Sequence, residues 1–229
     1  MLDDPTLPQL LDAPVRASFA ESWQPHALTR NGAAMLQPEI GPFAAAASDA
    51  PEDQADLAAL IARRAAPVLV TQVAEIPIPP GREMLSLVKG VQMVATDDAS
   101  AAEIDSLTLG PADVPEMLAL AQLTQPGPFE LRTYRMGAFI GLRENGALIA
   151  MAGQRMGFAG LREISGVCVH PEHRGQGLAT ALIRAMIGQI RADGDRPFLH
   201  TYADNAVAIQ LYERLGFAQR AEVNVAKIA

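Results

Sequence analysis

The chain has 229 residues, 49% hydrophobic and 19% charged, enough for a sizeable core and unlike a disordered chain. Its formal net charge of −8 argues against general nucleic-acid binding, and no apolar run approaches the ~18 residues of a membrane span. One cysteine, Cys168, excludes an intrachain disulfide and a cysteine-based metal site and fits a reducing compartment. The opening MLDDPTLPQ has neither a basic n-region nor an apolar h-region, so a cytoplasmic protein is expected. Charge is spread unevenly. Residues 1–105 hold 15 acids and 6 bases, net −9, and residues 106–229 hold 11 and 12, net +1.

In chain order, Asp12-Ala13-Pro14 reads as a helix start, with Asp as N-cap and Pro in the first turn. Residues 33–37 read as a strand and 51–65 as a helix. Glu52, Asp53 and Asp56 stand at that helix's positive end and Arg63-Arg64 at its negative end. Residues 68–71 read as a buried strand, and 84–96 as one or two strands broken at Gly90. The polar stretch Asp97–Ser100 is the expected boundary between a region 1–100 and a domain 103–229. No glycine cradle and no clustered polar constellation precedes it.

Beyond the boundary the pattern sharpens. Residues 104–109 read as a strand, and Asp113-x-x-Glu116 as a capping box leading a helix to about Leu123. Gln125-Pro-Gly-Pro128 breaks that helix, and a short second one is expected at 130–135. Strands 138–143 and 147–154 flank Asn145-Gly146, a hairpin signal. Ile164–Val169 is an apolar strand, followed by a turn, His170-Pro-Glu-His173, and by Arg174-Gly-Gln-Gly177. A helix then carries Leu178, Leu182, Met186 and Ile190 at four-residue spacing, one apolar stripe. Residues 197–202 read as a strand, and Asn205 caps a helix closed by Gly216. Residues 217–228 supply the last strand or two.

Strand, glycine-bearing turn and helix make a place for phosphates. First-turn N–H groups have no intrahelical partner, and the helix dipole adds positive potential there. Gly175 and Gly177 lack the β-carbons that would hold an anion away from those amides. A dinucleotide site is the competing reading, but Gly175-x-Gly177-x-x-Thr180 lacks the third glycine. The strands before it also form a meander where a dinucleotide fold would alternate with helices. Cys168 reads as a small buried side chain, His170 and His173 as solvated or phosphate-proximal, and the methionines as core filling. No metal site is expected.

Two motifs carry a family resemblance. Arg174-Gly-Gln-Gly177-Leu-Ala179 resembles the Arg/Gln-x-x-Gly-x-Gly/Ala signature of the GNAT acetyltransferase superfamily. Asn205 to Phe217 resembles its second signature, an Asn-led helix ending Leu-Tyr-x-x-Leu-Gly-Phe. The resemblance covers about residues 103–229. It implies an α/β (α+β) fold with a mixed, mostly antiparallel central sheet flanked by helices. Residues 1–100 would add an α/β region, read either as a degenerate second domain of that kind or as an unrelated cap.

The resemblance also implies the ligand. Backbone amides of Arg174, Gly175, Gln176, Gly177, Leu178, Ala179 and Thr180 would hold the pyrophosphate of acetyl-CoA as co-substrate. Val167, Cys168 and Val169 would flank the pantetheine arm, and Asn205 would reach it. Tyr212 would protonate the departing thiolate, and Glu163 is the candidate base; either could instead simply pack or be solvated. The implied activity is N-acetylation of a small-molecule or peptide amine. The alternative is a CoA-binding sensor or regulatory protein without turnover.

Overall fold

The computed structural model describes residues 7–229. Two short helices come first, α1 (Leu7–Asp12) and α2 (Pro14–Ala20). Pro14 takes the first position of α2, where its missing N–H costs nothing. Asp12, expected as that helix's cap, instead closes α1 and pairs with Arg220 at 2.6 Å. Strands β1 (Ala27–Arg30), β2 (Ala33–Leu36) and β3 (Ala44–Ala46) form a small antiparallel sheet in that order. Of these, only β2 was legible beforehand, since three alanines are poor strand formers. Helix α3 (Pro51–Ile61) covers the small sheet, setting Leu57, Leu60 and Ile61 against Ala33, Met35 and Ala44.

The main sheet has eight strands. They are β4 (Val68–Gln72), β5 (Met84–Ala95), β6 (Leu107–Thr108), β7 (Phe139–Glu144), β8 (Ala147–Phe158), β9 (Leu161–Val169), β10 (Arg196–Tyr202) and β11 (Phe217–Ile228). Their order is β4-β11-β5-β10-β9-β8-β7-β6, and only β9 and β10 run parallel. This is the mixed, mostly antiparallel sheet that was expected.

The boundary expected at 97–100 does not divide that sheet. β5 comes from the first hundred residues, yet it lies between β10 and β11, pairing with β11 along most of its length and with β10 over Gly90–Val94. A break at Gly90 was also expected, but β5 runs through it. The glycine is needed for approach: a β-carbon there would meet the Thr201 carbonyl and a Val223 methyl, each at 3.1 Å. Residues 1–100 therefore complete the main sheet as well as building the small one. Among the described residues before 100 there is no second glycine turn leading into a helix.

Helices α4 (Val114–Thr124), α5 (Leu178–Ala192) and α6 (Ala206–Arg214) pack on this sheet, and so does α2. Successive strand residues point to opposite faces. Leu199 accordingly joins the core beneath α5, with Leu182, Met186 and Ile190, while Phe198 joins an aromatic core of Trp23, Phe43 and Phe158 on the other side. Each fully buried aliphatic side chain on α5 is worth about 1.5–3 kcal/mol, so the helix is held by its stripe and not by its ends. The capping box expected at Asp113 does not form. Asp113 accepts from the Gly110 N–H at 2.8 Å, and Arg143 bridges Asp113 and Glu116 at 2.7 and 2.5 Å.

Candidate active site

The site is made by two strands that part. β9 and β10 pair only where 161–163 meet 196–198; beyond that they separate. Gly166, at φ +62, turns β9 at the opening, and register shifts in the β8–β9 ladder add to the bend. Past the end of β9 the turn 170–173 leads to Gly175 and Gly177, at φ +77 and +79. Only glycine adopts that conformation freely. Gly177 sits at the N-cap of α5, and nothing lies within 4 Å of where its β-carbon would be. Among the described residues, nothing accepts from the N–H groups of Gly175 through Thr180. Six amides, a helix dipole and the Arg174 side chain thus converge on open space.

That space is a cavity of about 300 Å³, lined by Val167, Cys168, Val169, His173, Arg174 and the first turn of α5. Arg174 and Ala179 also border a larger cleft of about 570 Å³ between the parting strands. Cys168 itself is buried, and burial pushes its thiol up to about 11, so it is an inert wall residue.

Asn205 and Tyr212 stand seven residues apart, two turns along α6, and so share a face turned to the cleft. The Asn205 Oδ1 atom accepts from the Ala208 N–H at 3.1 Å, which leaves its amide NH₂ for a ligand. Tyr212 packs edge-on against Phe217 at 6.1 Å between ring centres. Burial, with the negative charge of Glu163 adding to it, raises the Tyr212 hydroxyl to about 12. It is a protonated donor at every working pH.

Glu163 has a different environment from the one expected. It is 1% exposed and accepts both Nε and Nη2 of Arg155, at 2.8 and 2.9 Å. His200 Nδ1 lies 2.9 Å from Oε1, the oxygen that Arg155 Nη2 also contacts. Burial alone would raise this carboxyl, but the Arg155 charge and the hydrogen bonds from His200 and Arg155 outweigh it and hold the group at about 2. A carboxylate held so far down takes no proton at neutral pH. With both oxygens engaged and no place among the described residues that line the cleft, Glu163 is the anchor of a buried polar chain.

That chain can be followed atom by atom. Arg220 Nη1 donates to Gln92 Oε1 at 3.0 Å, which fixes the Gln92 amide. Gln92 Nε2 then donates to the Leu11 carbonyl at 2.9 Å and to His200 Nε2 at 3.1 Å. With Nε2 accepting, His200 carries its proton on Nδ1 and donates it to Glu163. No sequence signal marks these partners: Gln92 and His200 are 108 residues apart, and each lies alone in an apolar strand. Phe43, Leu69 and Thr71, which wall the cleft from the first hundred residues, were equally invisible.

Breaking the chain has a measurable cost. Glu163→Gln keeps the shape but leaves the Arg155 charge without a counter-ion, so we expect a loss of about 3 kcal/mol in denaturant unfolding. Because the folded pKa is depressed, this stabilisation is complete above about pH 4.5 and fades as pH falls towards about 2. A variant as stable as the wild type at pH 7, or a stability difference that persists at pH 2, would refute the assignment.

Fold and site together define a glycine turn with free first-turn amides at the mouth of a cleft that contains a buried tyrosine hydroxyl. Comparison with known proteins supplies the family. A family model described as FR47-like protein matches residues 139–225. A crystal structure of a GNAT-family protein from Novosphingobium aromaticivorans is 40% identical, covers 96% of this chain and 97% of its own, and superposes with a TM-score of 0.88. A GCN5-related N-acetyltransferase from Kribbella flavida is only 17% identical but shares the fold over 95% of both chains, with a TM-score of 0.67. No curated protein matches the sequence. The chain belongs to the GNAT family of acetyltransferases. Both structural matches extend over the first hundred residues, so the shared architecture includes them.

Proposed function

We propose that the protein transfers the acetyl group of acetyl-CoA directly to an amine. The observation that carries this reading is the adjacency of two features across cavities that share Arg174 and Ala179: free amides at the start of α5 and the protonated Tyr212 hydroxyl. The amides of Gly175 to Thr180 and the Arg174 side chain suit a pyrophosphate, whose charge complements the helix terminus. Val167 to Val169 suit a pantetheine arm, because β9 has left β10 there and presents an unpaired edge. Asn205 offers its free amide to the same arm. Acetyl-CoA supplies an activated acetyl thioester. A neutral amine attacks its carbonyl carbon, the carbon–sulfur bond breaks, and Tyr212 Oη donates to the departing sulfur. The lone, unpaired Cys168 supports action in a reducing compartment, the cytoplasm.

The proton lost by the amine goes to water. The described residues lining the large cleft include no Asp or Glu, and both ring nitrogens of His200 are engaged. The rate should therefore follow the acceptor. We expect kcat/KM to rise tenfold per pH unit up to the amine's own pKa, ~8 for an α-amino group. No fall should follow before the Tyr212 hydroxyl titrates, at about 12. An inflection near pH 6.5 that is independent of the acceptor would instead assign a histidine base. The reaction itself is tested by incubating acetyl-CoA with a panel of amines and following thiol release. A protein that binds CoA yet releases no thiol with any amine would be a sensor and not an enzyme.

A further inference from the structure

We infer that the acceptor is an amine carrying a carboxylate, of amino-acid type, and that Arg155 is the residue that selects it. This rests on the acetyl-transfer reading above and adds the chemistry of the second substrate.

Arg155 lies on β8 at the wall of the large cleft, its side chain 12% exposed. A guanidinium has five N–H donors in a fixed plane. Here Nε and one N–H of Nη2 are spent on the two oxygens of Glu163. No described residue accepts from Nη1. That end of the fork lies beside Gly127, whose β-carbon, if it had one, would stand 3.9 Å away. The ring of Phe43 lies under the guanidinium carbon at 4.9 Å. The fork therefore cannot swing: one end is tied to a buried carboxylate, one face rests on an aromatic ring, and the free end points into the cleft.

Fixed, partly desolvated guanidinium donors are a recognition element for a planar oxyanion. The rest of the cleft agrees in charge. Among the described residues its only charged lining groups are Arg155 and Arg174 and no acid lines it, so a polycationic acceptor finds no counter-ion there. Its floor is apolar, with Phe43, Leu69, Met156, Val223 and Val225. An α-amino acid with an apolar side chain matches all three demands: carboxylate to Nη1, side chain to the floor, and amine left over to face the thioester. Because Glu163 is itself tied to His200, and His200 to Gln92, those residues act as positioning residues for the fork.

The test compares matched pairs that differ only in the carboxylate: L-phenylalanine with phenethylamine, L-leucine with 3-methylbutylamine, and L-methionine with 3-(methylthio)propylamine. Thiol release from acetyl-CoA is followed with wild type and with Arg155→Lys, which keeps the charge facing Glu163 but loses the fork. For at least one pair the wild type should prefer the amino acid by about 10–150-fold in kcat/KM, the worth of hydrogen bonds to a charged group. Arg155→Lys should bring that pair within a few-fold, chiefly by raising KM for the amino acid. Equal or better use of every decarboxylated amine by the wild type overturns the proposal, as does a lysine variant that keeps the preference. Calorimetry with CoA separates the two levels. A wild type that binds CoA but uses none of the amino acids refutes only this inference, whereas one that binds no CoA refutes the acetyl-transfer reading and this one with it. If the variant fails to fold, the wild-type comparison alone decides.

Discussion

Gly177→Val is expected to lower CoA affinity at least ~10³-fold, measured by calorimetry, while leaving the fold in place. Two costs combine. The residue sits at φ +79, where a side-chain-bearing residue loses roughly 1–2 kcal/mol. The two methyls would also project into open space at the start of α5, where the free amides converge. Each charge-assisted hydrogen bond they displaced would remove about 1.5–3 kcal/mol more. The helix itself should survive, because Leu182, Ile183, Met186, Ile187 and Ile190 are all fully buried beneath it. Thermal unfolding should shift by only about 2–8 °C. Gly177→Ala, with one carbon instead of three, should lie between. Wild-type affinity in the valine variant would mean that the cradle is not where CoA binds.

Tyr212→Phe should slow acetyl transfer in single turnover by the lower part of the ~10²–10⁴ range for general acid catalysis, with CoA affinity unchanged. The substitution keeps the ring and its edge-on contact with Phe217 and deletes only the hydroxyl. The lower part of the range follows from the environment of that hydroxyl. A phenol at about 12 is fully protonated, yet complete transfer to a thiolate of pKa ~8.5 is uphill. Its main service is then a hydrogen bond to the sulfur as negative charge grows there. Single-turnover rates are the fair measure, since slow product release would mask the loss. Equal rates in the two proteins would reduce Tyr212 to a packing residue.

What the sequence determined by itself was local. A strand followed by Arg174-Gly-Gln-Gly177 and an apolar stripe defines the cradle, because backbone conformation and helix polarity are properties of adjacent residues. Asn205 and Tyr212 belong to one helix, so their shared face follows from spacing alone. The hairpin at Asn145-Gly146 was equally readable, and the two strands it joins came out at nearly the expected places.

What only the tertiary structure decided was pairing at a distance. The first hundred residues looked separable because their boundary is short and polar. In the fold, β5 completes the sheet between β10 and β11, and nothing in a strand's own sequence names its neighbours. The role of Glu163 turned for the same reason. A glutamate next to an apolar strand reads as a solvated group or a base until Arg155, His200 and, behind them, Gln92 and Arg220 are brought around it from four other strands. Burial and a fixed counter-ion set its proton affinity, and both are created only when those strands assemble.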